Sequence, residues 1–308
     1  MDSLDYYKLL VEGHRRKQIE ERERDLNNPP AFRGGQSGCM YNGFVIGSIP
    51  QEAVLRYLKI TSPIEFDQQL LFDAGFGNED SHNALLEAAD VAFKCEEEIP
   101  ISWTTSNGYT VTGRPDRALM DGDRISLIIE EKQIASSWKT KTMSNWGMAQ
   151  PKDENVVQAA HYMWQHGKVD GMLVYTSRAW HALKGKKEDF LDPDHRALLG
   201  DGDWTYGVKP FMSLYKLTWQ GDVLHVDGKP TKITVAGIQE YYQMLGDCVT
   251  NRTIPDYHYK DMWGGAVNRK KKEQYYNWIQ VPTDDWDTWL DQITDEVNAQ
   301  WEKLHEPE

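Results

Sequence analysis

No stretch of the chain approaches the eighteen or more consecutive apolar residues that a membrane-spanning helix requires. Nor does the opening MDSLDYYKLLVEG show the pattern of a signal peptide. These absences lead to the expectation of a soluble, unexported, cytoplasmic protein with no membrane partner. Cysteine is scarce: Cys39, Cys95 and Cys248 lie far apart and never in a C-x-x-C pair. That argues against a disulfide framework and a zinc ribbon and suits a reducing compartment. Each thiol is expected as a small buried side chain. A G-x-x-x-x-G-K-[ST] loop is missing too, so any unwinding of a duplex would need a partner. Internal repeats, low-complexity segments and long linkers are also lacking. The 308 residues are therefore expected to form one α/β domain with a central sheet and helical additions at both ends.

Positive charge is in deficit, with 34 Lys and Arg against 48 Asp and Glu, for a net charge of −14. A global deficit limits long-range attraction of polyanions, but binding depends on where the cations cluster. Clusters occur at HRRK (14–17), WKTK (138–141), KGKK (184–187) and NRKKK (268–272), while acid concentrates in CEEE (95–98) and the C-terminal TDDWDTWLDQITDE. Each basic run taken singly reads as a solvated face.

Helical patterning is expected at 3–25 and at 64–93, the latter with a break near Gly75-Phe76-Gly77, and again at 152–166. The tail, 283–304, reads as an acidic amphipathic helix whose Trp286, Trp289 and Trp301 fill the core. Strands are expected at 96–103 and 171–178, with a hairpin around Gln220-Gly221.

The densest chemistry lies in GRPDRALMDGDRISLIIEEKQ, residues 113–133. Asp121-Gly122-Asp123 is a turn signal between two β-branched or aliphatic flanks, YTVTGRPDRALM and RISLIIEEKQ. Closing that hairpin brings Asp116 beside Glu130. Two such acids offer hard oxygen ligands to Mg²⁺, which takes few carboxylates together with water and phosphate. Strand alternation puts Glu130 and Lys132 on one face and turns Glu131 to the other, leaving its backbone carbonyl for the metal. Lys132 is then placed to position or help deprotonate a nucleophile, or to steady charge on a phosphate. Gln158 and Tyr162, four apart in NVVQAAHYMW, share a helix face from which both could hydrogen-bond phosphate or brace the lysine. Singly, an E-x-K or a Q-x-x-x-Y match is common; in this order, after G-x-x-D, the matches support one another.

GRPD, IIEEK and QAAHY together resemble the PD-(D/E)XK nuclease superfamily, specifically its RecB-like exonuclease branch of phages and bacteria, over residues 33 to 180. The resemblance implies a restriction-endonuclease-like core with a mixed sheet flanked by helices, here spanning about 33–250. It also implies Mg²⁺-dependent hydrolysis, with Mn²⁺ able to substitute, and DNA as substrate. Asp116 and Glu130 match the metal ligands, Lys132 the catalytic lysine, and Gln158 with Tyr162 the substrate-side pair. His82 is the candidate for the branch's upstream histidine, with Glu79 or Asp80 as alternatives and Glu98 as a weaker acid of the same kind. One subgroup adds an iron–sulfur cluster on four cysteines; Cys39 and Cys248 fall in suggestive places but two more are missing, so no cluster is expected. Trp138, Lys139 and Lys141, with Trp146, border the expected site and are candidates for base stacking and phosphate contact. A single-strand-annealing protein or a helicase is the expected protein partner, and the host cytoplasm the setting if the gene is a phage's. The competing reading is a noncatalytic nucleic-acid-binding or assembly protein that keeps the nuclease fold.

Overall fold

A computed structural model describes residues 3–134, 150–177, 181–182, 208–209, 212–267, 279 and 281–304. The chain opens with α1 (Ser3–Asn27), then β1 (Phe32–Arg33), β2 (Gly38–Tyr41) and β3 (Phe44–Gly47). Two helices follow, α2 (Pro50–Tyr57) and α3 (Phe66–Ala88), the first started by Pro50 at a position where no backbone N–H is needed. Next come β4 (Phe93–Cys95), β5 (Ile101–Thr104), β6 (Thr110–Gly113), β7 (Arg117–Asp121) and β8 (Arg124–Ile134). Helix α4 (Asp153–Gln165) leads into β9 (Asp170–Ser177) and the short β10 (His181–Ala182) and β11 (Val208–Lys209). The last third holds β12 (Met212–Gln220), β13 (Val223–Val226), β14 (Lys229–Thr234), α5 (Val235–Asn251), β15 (His258–Tyr259) and α6 (Trp286–Lys303).

The architecture is mixed α/β. A seven-stranded sheet runs β14-β13-β12-β9-β8-β7-β4, antiparallel throughout except for β8 and β9, which pair in parallel. A parallel neighbour needs a crossover, and α4 lies within it. Two three-stranded sheets, β1-β6-β5 and β15-β3-β2, accompany the large one. Helix α4 buries Val156, Val157, Ala159, Ala160 and Met163. It sits so close to β9 that a β-carbon on Gly171 would meet the Met163 sulfur at 2.4 Å. Among the described residues no helix is long and apolar enough to cross a membrane.

The structure corrects some expectations and bears out others. YTVTGRPDRALM is not one strand: the chain leaves β6, breaks at Arg114–Asp116, and begins β7 in a different sheet. Pro115 has no N–H to give to a ladder, which makes this the natural break. Likewise α3 runs through Gly75–Gly77 without interruption, and the strand expected at 96–103 is a 3₁₀ turn (Glu96–Glu98) followed by β5. As expected, Trp286, Trp289 and Trp301 are core residues, Cys39 and Cys248 are buried free thiols, and Gly122 turns the β7–β8 hairpin with φ +59°; Cys95, expected buried as well, is only half-buried.

Candidate active site

The β7–β8 register pairs Arg117 with Ile129, and one further step sets Asp116 opposite Glu130. The geometry closes around that step, because the Glu131 backbone N–H donates to Asp116 Oδ2 at 2.5 Å. Glu130 is completely shut from solvent, its Oε1 accepting from the Lys132 ammonium on the same strand face. Its other oxygen, Oε2, is buried and has no hydrogen-bond partner. An unsatisfied buried carboxylate oxygen is costly, and such an atom calls for a ligand.

Glu131 faces the other way. Its carboxylate takes the Arg117 guanidinium on one oxygen and His82 Nδ1, at 2.9 Å, on the other. Arg117, 2% exposed, also donates to Asn83 Oδ1 at 2.6 Å and to the Glu79 carbonyl at 3.1 Å. The cluster pins α3 to the back of β8. His82 is thereby engaged by Glu131, across the strand from the Glu130–Lys132 face. The acid of α3 that feels the site is Glu79. Burial, then Asp116 and Glu131, push its carboxyl up to about 7.

The electrostatics of the acid pair agree with this crowding. Burial raises the Asp116 carboxyl, against the pull of Lys132 and the Glu131 N–H. Burial and the Asp116 charge push Glu130 up to about 8. For Lys132, burial works downward but Glu130 and Asp116 outweigh it, and the ammonium is held above the ordinary lysine range. Without a counter-ion the two carboxyls favour sharing a proton beside a charged lysine.

Gln158 and Tyr162 do share a face of α4, with Gln158 Nε2 donating to the Tyr162 hydroxyl at 3.3 Å. Tyr162 is walled in by glycines. A β-carbon on Gly34 would meet its Cε1 at 2.6 Å, one on Gly113 at 2.7 Å, and Gly35 lies against the Gln158 amide. The Gly34–Gln36 3₁₀ turn, Gly113, Thr112, Arg114 and Tyr162 line one cleft. What holds this turn lies far from it in sequence. His161, inside the Q-x-x-x-Y stretch, is wholly buried, and burial lowers its imidazole to about 3. Trp103 Nε1–H can only donate, so His161 Nε2 is the acceptor at 2.8 Å and Nδ1 carries the proton. Nδ1–H then gives to Ser37 Oγ at 2.9 Å, and Ser37 gives its own proton to the Gly34 carbonyl. Tyr242 on α5 adds a bond to the Arg33 carbonyl.

Among the described residues no three His, Cys, Asp or Glu side chains form a ready metal cage. A two-carboxylate centre does not require one, since magnesium keeps several waters and substrate oxygens. Asp116 and the orphaned Glu130 Oε2, with Glu79 as an added acid, are hard oxygen donors of the kind that could hold a divalent cation. Trp138, Lys139, Lys141 and Trp146 lie outside the described residues, as do the basic runs at 184–187 and 268–272.

Compared with known proteins, the chain matches no family model and no curated relative. One solved structure, that of SSO0001, is similar at 15% identity and a TM-score of 0.42, over 79% of this chain and 86% of its own. A likeness of that size carries no argument about activity.

Proposed function

We propose that the chain is a metal-dependent deoxyribonuclease of RecB-like exonuclease type, built on a restriction-endonuclease-like core. The observation that carries the reading is the buried, unpartnered Oε2 of Glu130, a carboxyl that feels the Asp116 charge and accepts from Lys132 on its other oxygen. The β7–β8 hairpin, the α4 crossover and the parallel β9 support it, because they put G-x-x-D, E-x-K and Q-x-x-x-Y around one point.

Asp116 holds the Glu131 N–H and so fixes the backbone that presents both Glu130 and the Glu131 carbonyl. A bound Mg²⁺, or Mn²⁺ in its place, would offset the carboxylates and polarise water for attack on phosphorus. Lys132 stays an ammonium while two acids flank it, so its part is that of a charged donor to the phosphate rather than a base. Gln158 and Tyr162 brace the cleft wall on which the scissile strand would lie. An iron–sulfur cluster is not part of this proposal; DNA in the cytoplasm, handed on by an annealing protein or a helicase, is. Incubation with end-labelled linear and circular DNA, in Mg²⁺ or in EDTA, tests the reading. Metal-dependent shortening of the linear substrate is expected, and no cleavage in Mg²⁺ or Mn²⁺ would leave the noncatalytic binding protein as the better account.

A further inference from the structure

A second cleft lies between α1, the segment after α2, and α6, lined by Arg22, Arg33, Arg56 and Lys59 against Glu21 and Asp25. Four cations to two acids is a local surplus of two positive charges on a chain of net charge −14. Arg33 also lines the cleft beside Tyr162, so the two depressions share one cationic residue.

The cations here differ in how they are satisfied. Arg33 and Lys59 share Asp25, at 3.3 and 3.2 Å, and Arg56 leans on Glu52 at 3.5 Å. Arg22 pairs with no carboxylate among the described residues. Its guanidinium lies over the Trp301 indole, 4.4 Å from the ring centre, and among the described residues it donates to the neutral Asn298 at 3.2 Å. Burial makes its charge harder to keep. The Ser62 hydroxyl, on the wall of the same cleft, also has no partner. A partly desolvated cation without a counter-charge, beside an unsatisfied hydroxyl, asks for an anion. Trp301 leaves Arg22 oriented for one, since the indole face takes up one side of the guanidinium and leaves its edge to donate.

We propose that this cleft is a phosphate-gripping groove for the nucleic-acid backbone that extends past the Tyr162 cleft, with Arg33 at the junction and Arg22 as its free cation. The groove belongs to the terminal helices α1 and α6, which otherwise contribute nothing to the acid centre. The proposal rests on the nuclease reading, and names where that substrate is held away from the chemistry.

The test uses the full chain and fluorescently labelled duplex DNA with Ca²⁺ replacing Mg²⁺, titrated at several salt concentrations. Wild-type cleavage in Mg²⁺ is scored in parallel. Arg22→Gln with Lys59→Gln should lower the slope of log affinity against log salt by about 1.8, since each phosphate contact contributes about 0.9 on duplex DNA. The charge-matched pair Lys168→Gln with Lys216→Gln, which lines neither cleft, should leave the slope unchanged. Should the first pair fail to fold, Arg56→Gln, at a half-exposed position, should lower the slope by about half that amount. An unchanged slope in a folded cleft variant, or an equal loss in the control pair, overturns the groove while leaving a cleaving enzyme in place. Selective relief of the Arg22-dependent binding by inorganic phosphate at matched ionic strength would reassign the cleft to free phosphate. A wild-type chain that neither cleaves nor binds DNA overturns the nuclease reading and the groove with it.

Discussion

The phenol ring of Tyr162 rests against the bare α-carbon of Gly113, and a β-carbon at that position would overlap its Cε1 at 2.7 Å. The glycine of G-x-x-D and the tyrosine of Q-x-x-x-Y are thus two halves of one contact. Tyr162 is 2% exposed and cannot swing aside. Gly113→Ala should therefore destabilise the fold by about 1–3 kcal/mol, the usual range for an overpacked core, and lower turnover as well. Adding Tyr162→Leu should return part of the lost stability, so the double variant falls short of the sum of the singles in urea denaturation. Strict additivity would show that the two residues do not press on each other.

The acid pair should cost stability at neutral pH when no metal is bound. Glu130 is raised in the fold, so its contribution is full below its unfolded pKa, near 4.5, and is lost as pH rises through about 8. In EDTA, Glu130→Gln should flatten the fall in stability across that window and match or exceed wild type at pH 8. Magnesium should raise the wild-type midpoint and leave Asp116→Asn unmoved, because only a chain that binds the ion gains from it. Both variants should lose cleavage. Thermal melts with and without metal, run beside a nuclease assay, check all three statements.

Lys132 keeps its charge beside Glu130 and Asp116, and in the proposed nuclease that charge would act once phosphate gains negative charge. Lys132→Met keeps much of the aliphatic stem and removes the ammonium. Turnover should drop about a hundredfold or more, the scale of losing one positioned donor. DNA affinity in Ca²⁺ should change little. A large loss of affinity with a normal single-turnover rate would make Lys132 a binding residue instead.

His161 predicts an acid-sensitive fold. Its imidazole is depressed to about 3, so the neutral ring stabilises the fold above the unfolded value near 6.5, and that stability is lost as pH falls toward 3. The loss should approach about 1.4 kcal/mol for each pH unit in that window. His161→Gln, which can still accept from Trp103, should be less stable at pH 7 but show a shallower acid slope. The readout is the difference between the two denaturation curves at pH 7, 6 and 5.

Much of the site could be read from the sequence because strand alternation is a rigid rule. Asp116 opposite Glu130, Lys132 on the face of Glu130 and Glu131 turned away all follow from one hairpin with period two. The broad α/β class, the core tryptophans and the helix at 286–303 follow from apolar periodicity, whereas α1 has little of it and is legible from its early serine and dense charge. The break between β6 and β7 was written in Pro115, but two flanks of suitable residues read as one strand when only propensity is weighed. The Ser37–His161 bond spans 124 positions, and no local pattern announces it. His82 and Glu79 lie three apart on α3, and a histidine attracts attention as a ligand; only the packing of α3 on β8 brings its Nδ1 within 2.9 Å of Glu131 Oε2.

The bond from the Tyr242 hydroxyl to the Arg33 carbonyl joins residues 209 positions apart. The turn beside Tyr162 is thus held in place by a helix that leaves the ribosome long after the carboxylates and the lysine. A nascent chain that has made the hairpin and α4 still lacks the α5 hydroxyl that fastens the Arg33–Ser37 segment over the cleft. The turn is fastened only once α5 has been made, so a fragment released before it carries the acidic hairpin and α4 without the wall that closes over them.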